Sequence, residues 1–162
     1  DDIVAKAREV VEANRKAGRR VAVAESCTGG LVSAAITEIP GSSAMFEAGY
    51  VTYSNNAKLA ELNVCSDVVE TCGAVSVATA WAMAQGALEA SGADVAVAIT
   101  GIAGRDGGQP GKPVGTVWFG WAWRDGDEIE TRVALETFAG DREAVRRQTV
   151  HRALSELDRL NV

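Results

Sequence analysis

Val21-Ala22-Val23-Ala24-Glu25-Ser26-Cys27-Thr28-Gly29-Gly30 is the stretch on which the reading of the fold turns. Val21 to Ala24 is a short apolar run that reads as a buried strand. Thr28 to Ile39 reads as a helix stopped by Pro40-Gly41, so Ser26 falls where a strand gives way to a helix. Upstream, Val4, Ala7, Val10, Val11 and Asn14 recur at helical spacing and the run ends at Gly18, which predicts an amphipathic helix over 3–17. Downstream, Met45 to Tyr53 is rich in aromatic and β-branched residues and reads as a strand. This alternation is the rhythm of helices layered on a sheet.

Farther along, Asn55 is placed to cap a helix over 56–62, and Ser76 to cap a longer one over 77–90 that Gly92 ends. Val95 to Ile99 is a continuous apolar strand. Residues 101–113 carry Gly101, Gly104, Gly107, Gly108, Pro110, Gly111 and Pro113, too many breakers for regular structure, and read as a loop placed to act as a lid. Val114 to Trp123 and Glu128 to Thr137 flank Arg124-Asp125-Gly126-Asp127, a hairpin signal. In the second strand Ile129, Thr131, Val133 and Leu135 alternate with Glu128, Glu130 and Arg132, so one face is expected to meet water. A last helix over about 141–160 points Val150, Leu154, Leu157 and Leu160 inward.

The 162 residues, 47% of them hydrophobic, suit one domain over 1–162 with a substantial core. A net charge of −6 and a pI near 4.8 argue against a nucleic-acid surface, which needs concentrated Lys and Arg. Cys27, Cys65 and Cys72 are irregularly spaced, and no leader-like or long apolar segment accompanies them; a reduced, cytoplasmic protein away from membranes is expected. With one histidine and no CxxC pair, no metal site is expected.

Ser26 has two readings. Placed before Thr28-Gly29-Gly30, it can lie beside unpaired amides at a helix start that hold an oxyanion or phosphate, or it can simply cap the helix. A serine nucleophile needs a base. His151, the single histidine, lies beside the apolar stripe of the last helix, where a structural role is expected, and Ser26 has neither a G-x-S-x-G elbow nor a lysine three residues on. Lys58, in the first turn of a helix capped by Asn55, would lose its proton more readily beside the positive end of the helix dipole; the plainer reading is a solvated lysine. Tyr53 can relay a proton between Lys58, Ser26 and the leaving amine, or be a core residue. Arg142, with Arg146 one turn later, can grip an anion at a helix start or pair with Asp141, Glu143 or another surface acid. Thr100-Gly101 either brings backbone close to a ligand or ends a strand; Cys27 is a packed thiol or a modulator of its neighbour. Gly111-Lys112 fails as a P-loop, with Asp106 in place of the first glycine and Pro113 after the lysine. Trp118, Trp121 and Trp123 read as core or subunit contacts, with stacking on an aromatic ligand ring as the remaining alternative.

Taken with Pro40-Gly41-Ser42-Ser43, Val51-Thr52-Tyr53-Ser54-Asn55, Gly73-Ala74-Val75-Ser76, Thr100-Gly101-Ile102-Ala103-Gly104, Lys112-Pro113-Val114-Gly115-Thr116-Val117 and Gly140-Asp141-Arg142, the Ser26 stretch resembles the C-terminal domain of the competence and damage-inducible protein CinA. Stand-alone members of that family are nicotinamide mononucleotide amidohydrolases. The resemblance implies hydrolysis of the nicotinamide carboxamide to nicotinic acid mononucleotide and ammonia, in pyridine-nucleotide salvage. It implies Ser26 as nucleophile with Tyr53 and Lys58 as its activating pair, Thr100 and Arg142 in the substrate pocket, and a homodimer. Two positions depart from the family pattern: Asn56, where relatives often carry an acid, and Arg105, where they often carry proline.

The expectation is therefore a three-layer α/β/α domain with a mixed sheet, hydrolysing an amide without metal or organic cofactor. Ser26, Tyr53 and Lys58 are its catalytic residues; Cys27, Thr28, Gly29, Gly30, Asn55, Thr100, Gly101, Arg142 and Arg146 bind substrate, with the amides of 27–30 holding the oxyanion. The alternatives are a serine hydrolase of another aromatic amide or an ester, and a non-catalytic nucleotide sensor.

Overall fold

The structure, a computed structural model, describes residues 2–158 and 160. Asp1, Arg159, Asn161 and Val162, and with them the ends of the expected domain and part of the expected last helix, lie outside the described residues. In chain order the elements are α1 (Asp2–Ala17), β1 (Val21–Glu25), α2 (Leu31–Thr37), a 3-10 turn (Ser42–Ala44), β2 (Phe46–Val51), α3 (Asn55–Leu62), α4 (Ser66–Cys72), α5 (Val77–Ser91), β3 (Val95–Gly101), β4 (Thr116–Asp125), β5 (Glu128–Thr137) and α6 (Arg142–Leu154). The sheet runs β2-β1-β3-β4-β5. β1 is parallel to both its neighbours, and β3, β4 and β5 are antiparallel, which makes the sheet mixed.

The alternation of Val and Ala in β1 and β3 builds the three layers. Val21, Val23, Val95, Val97 and Ile99 face one way, into a core shared with Ala7, Val10 and Val11 of α1, Val32 and Ile36 of α2, and Val145, Val150 and Leu154 of α6. Ala22, Ala24, Ala96 and Ala98 face the other way, against Leu62 of α3, Val69 of α4 and Met83, Ala84, Ala87 and Leu88 of α5. Bulky side chains fill the first space; small ones let α5 settle directly on the sheet. Trp121 is wholly buried in the first core, stacked on Phe119 with ring centroids 5.6 Å apart, and its indole N–H donates to the Ala153 carbonyl at 3.1 Å. Trp118 and Trp123 are half-buried.

Several expected boundaries shift. α2 begins at Leu31 rather than Thr28, because Gly29 (φ 59°) and Gly30 (φ 108°) are left-handed and form a turn instead of opening the helix. Ser54, not Asn55, caps α3: its hydroxyl accepts from the Ala57 amide at 3.1 Å and Asn55 is the first helical residue. α4, seven residues long, was not anticipated. In β5 both faces are engaged: Ile129 packs under α5 and Ala134 on the α6 side, leaving Val133 and Leu135 exposed.

β1 leads through α2 to β2, and β2 returns through α3, α4 and α5 on the opposite face to β3 on the other side of β1. The carboxyl ends of β1 and β3 therefore flank a topological switch point, where the two crossovers part and leave a crevice. Ser26 follows the one end and Thr100-Gly101 closes the other.

Candidate active site

The turn that carries Ser26 is organised by Glu25, the last residue of β1 and fully buried. Its Oε1 accepts from the Thr28 hydroxyl at 2.6 Å and from the amides of Gly30 and Val32 at 3.2 and 2.9 Å. Its Oε2 accepts from the Ser33 amide and hydroxyl at 2.9 and 2.8 Å. The carboxylate thus takes up the free amides at the start of α2, a place that favours negative charge. Gly29 N–H donates to the Ser26 carbonyl at 3.0 Å. Of the amides expected to serve an oxyanion, those of Gly29 and Gly30 are consumed inside the turn; Cys27 and Thr28 retain amides with no backbone or carboxylate acceptor among the described residues. Sequence reasoning gave Glu25 no role, although an acid ending an apolar strand just before a helix is itself a capping signal.

Lys58 projects from α3 into the same place. It is 1% exposed, and its Nζ lies 3.3 Å from Ser26 Oγ while donating to the carbonyls of Thr52 at 3.0 Å and Tyr53 at 3.5 Å. Burial holds its ammonium below the usual lysine range. No ion pair joins Lys58 to a carboxylate among the described residues. Cys27 beside it favours the charged lysine, but burial pushes that thiol up to about 11, so at neutral pH it is uncharged and offers no counter-ion. The expected lowering of the lysine's proton affinity is found, with withdrawal from water as its cause.

The mouth is assembled from other elements. Tyr53 is 61% exposed and its hydroxyl accepts from Arg142 Nη2 at 3.2 Å; it meets Lys58 through its backbone carbonyl, not its phenol. Arg142 opens α6, behind the Asp141 cap, and its Nη1 donates to the Gly104 carbonyl in the glycine loop. The alternative pairing of Arg142 with Asp141, Glu143 or another acid is not made among the described residues. Arg146 is engaged by the turn: its Nε donates to the Cys27 carbonyl at 3.2 Å and its Nη2 to that of Thr28 at 3.1 Å. Asn55 and Asn56 are exposed on α3, and Arg105 is exposed on the glycine loop.

Thr100 is 1% exposed and donates through Oγ1 to the Ala74 carbonyl at 2.6 Å, tying β3 to the start of α5. At Gly101 an added Cβ would stand 2.8 Å from Val117 Cγ2 and 2.9 Å from the Thr116 carbonyl, so the neighbouring strand explains this glycine. The glycine loop is tethered at Gly104 by Arg142 and at Lys112, whose Nζ donates to the Cys72 carbonyl at 3.2 Å. His151, expected in a structural role, is exposed on α6. Among the described residues no three His, Cys, Asp or Glu side chains are grouped to hold a metal ion, and no helix is long and apolar enough to cross a membrane. A groove of about 520 Å³, lined by Glu61, Trp81 and Gln85, lies apart from Ser26 and Lys58. The polar groups converge at the switch point.

A serine hydroxyl in contact with a buried lysine that has no carboxylate partner among the described residues, with the Cys27 and Thr28 amides next to the serine, is an arrangement suited to attack on a carbonyl carbon. The chain is similar to known proteins along nearly its whole length. Residues 4–161 match the family model described as the CinA C-terminal domain. A Pseudomonas putida protein named nicotinamide-nucleotide amidohydrolase PncC is 52% identical over 157 residues, 97% of this chain and 96% of the relative. Its namesake from Escherichia coli (strain K12) is 52% identical over 149 residues, 92% of this chain and 88% of the relative. The crystal structure of the competence/damage inducible protein CihA from Agrobacterium tumefaciens superposes with a TM-score of 0.93 at 44% identity, covering 100% of this chain and 97% of that one.

Proposed function

We propose that this chain, which belongs to the CinA C-terminal domain family, hydrolyses the carboxamide of nicotinamide mononucleotide to nicotinic acid mononucleotide and ammonia. The observation that carries the chemistry is the 3.3 Å approach to Ser26 Oγ of a buried Lys58 with no carboxylate partner among the described residues. The two relatives named nicotinamide-nucleotide amidohydrolase, each about half identical to the chain over most of its length, supply the substrate. In this reading the chain works as one domain, as a homodimer in the cytoplasm.

Ser26 Oγ attacks the carboxamide carbon as its proton passes to neutral Lys58. The carbonyl oxygen, now an oxyanion, accepts from the Cys27 and Thr28 amides. Collapse breaks the carbon–nitrogen bond; the nitrogen takes the proton from Lys58 and leaves as ammonia. Water, deprotonated by Lys58, attacks the acyl-serine, and the proton returns to Ser26 Oγ as the carboxylic acid departs. Tyr53 and Arg142 receive the rest of the substrate, Arg142 having donors left for the phosphate after Gly104 and Tyr53 are served.

Ammonia release from nicotinamide mononucleotide by the purified protein tests this. Release that Ser26→Ala abolishes supports it. Release from other aromatic amides or esters, but not from this one, moves the substrate while keeping the chemistry; binding without release marks a nucleotide sensor.

A further inference from the structure

We infer that Glu25 and Arg146 form a two-sided clamp on the nucleophile turn, positioning Ser26 Oγ and the Cys27 and Thr28 amides without touching substrate. This rests on the proposed amide hydrolysis and deepens it. The turn from Ser26 to Gly30 is a single reversal of chain between β1 and α2, containing two left-handed glycines. Glycine gives access to that backbone shape and equally to many others, so the turn needs restraint from outside its own backbone.

Glu25 restrains it from the sheet side. Its five accepted hydrogen bonds come from Thr28 and Gly30 in the turn and from Val32 and Ser33 in α2, so one buried carboxylate fixes the turn relative to the helix. Three of these five bonds come from backbone amides, which can only donate, so a side chain with an N–H in place of either oxygen loses part of the set. Arg146 restrains the turn from the α6 side. Its planar fork spans the two successive carbonyls of Cys27 and Thr28, and a Cβ added at Gly29 would come within 3.3 Å of its Nη2. Holding the Cys27 and Thr28 carbonyls fixes the orientation of the peptide groups on either side of Thr28, and the Cys27 and Thr28 amides stand in the same short run of backbone.

Two consequences separate the clamp from the expected phosphate grip. With Glu25 seated at the start of α2, no substrate anion can use that helix terminus. With Arg146 committed to carbonyls, Arg142 is the arginine left for the phosphate.

The experiment compares Glu25→Gln and Arg146→Met with the intact chain in two assays: turnover of nicotinamide mononucleotide and of its dephosphorylated nucleoside, and the rate at which an aryl sulfonyl fluoride labels Ser26, followed by intact mass. Glutamine keeps the shape of Glu25 but turns a donor toward Ser33. Both variants are expected to lose roughly 10²-fold in kcat, the scale of an ångström's misplacement, with KM within about threefold, and labelling of Ser26 is expected to slow in parallel. Arg146→Met is expected to lose equally on both substrates. Should Glu25→Gln fail to fold, Arg146→Met carries the test alone, since its side chain is only half-buried. Labelling and kcat at the wild-type level in either folded variant overturn the clamp, and a rise in KM confined to the phosphorylated substrate in Arg146→Met returns that residue to phosphate binding. If the intact chain releases no ammonia, the proposed substrate fails, while the labelling rates still decide the clamp.

Discussion

The floor and the mouth of this site hold the same kinds of group under opposite conditions. At the floor, Ser26 is 7% exposed and Lys58 1%, and the proton affinity of the lysine is set by its withdrawal from water. At the mouth, Tyr53 is 61% exposed and Arg142 lies on the surface, in contact with each other and with a glycine loop. A cation at the floor is made reactive by the loss of solvent; a cation at the mouth keeps its charge and is free to capture an anion. The division predicts that floor substitutions act on kcat and on proton affinity, and mouth substitutions on KM.

The largest effect belongs to the floor. Ser26→Ala removes the nucleophile and is expected to lower ammonia release on the order of 10⁴-fold or more, with Lys58→Met close behind. Because the two act as one unit, the double substitution is expected to be no worse than the poorer single one. Losses that simply multiply in steady-state kinetics would separate lysine from serine and break the floor as described. The pH profile sharpens the point. If neutral Lys58 is the base, kcat/KM rises with pH through the lysine's own pKa, below the usual 10.5. Residual activity in Lys58→Met is expected to lack that limb.

The mouth answers with a smaller effect of a different kind. Arg142→Ala is expected to raise KM for the mononucleotide by roughly 10–100-fold, the value of about 1.5–3 kcal/mol for a hydrogen bond to a charged group, while kcat changes much less. The same substitution assayed on the dephosphorylated nucleoside is expected to leave KM nearly unchanged. A collapse of kcat with KM intact would place Arg142 in the chemistry and erase the distinction.

This contrast also explains what sequence reasoning reached and what it missed. The apolar runs of β1 and β3, the Ser76 cap and Gly92 stop of α5, and the hairpin turn before Glu128 are local signals, and each element appears where its signal places it. The meeting of Ser26 and Lys58 depends on residues 32 apart and rested on resemblance, because no local pattern announces a buried lysine. Glu25 and α4 went unread for another reason. Glu25 acts through donors that lie up to eight residues beyond it, and α4 has seven residues with a Cys65 start that makes no side-chain cap, too short for a helical period to declare itself. Arg146 was read by its charge; the partners that claim it are carbonyls 118 and 119 positions away.

Stability gives a signed test of the floor. Burial lowers the pKa of Lys58 in the folded chain, so between that lowered value and 10.5 the unfolded chain binds more protons than the folded one, and stability rises with pH across that window. Below the window, folding carries the full cost of the buried charge. Denaturant unfolding of wild type and Lys58→Met as a function of pH is expected to show the wild type gaining on the variant as pH climbs toward 10.5. A constant difference would mean that the lysine is not desolvated as its 1% exposure requires.

The smallest expected effect bears on how the floor is held in register. Ser54 accepts the Ala57 amide at the start of α3, and Lys58 follows at the end of that first turn. Ser54→Ala removes the cap and is expected to cost about 1 kcal/mol in denaturant unfolding, whereas Asn55→Ala, at an exposed first helical position, is expected to change stability by less than about 0.5 kcal/mol. Lys58 has anchors independent of the cap, the carbonyls of Thr52 and Tyr53, so kcat of Ser54→Ala is expected to stay within a few-fold of wild type. A large fall in kcat with so small a loss of stability would show that α3 is positioned by its cap rather than by the buried lysine, and that the floor owes its geometry to a hydroxyl at the surface.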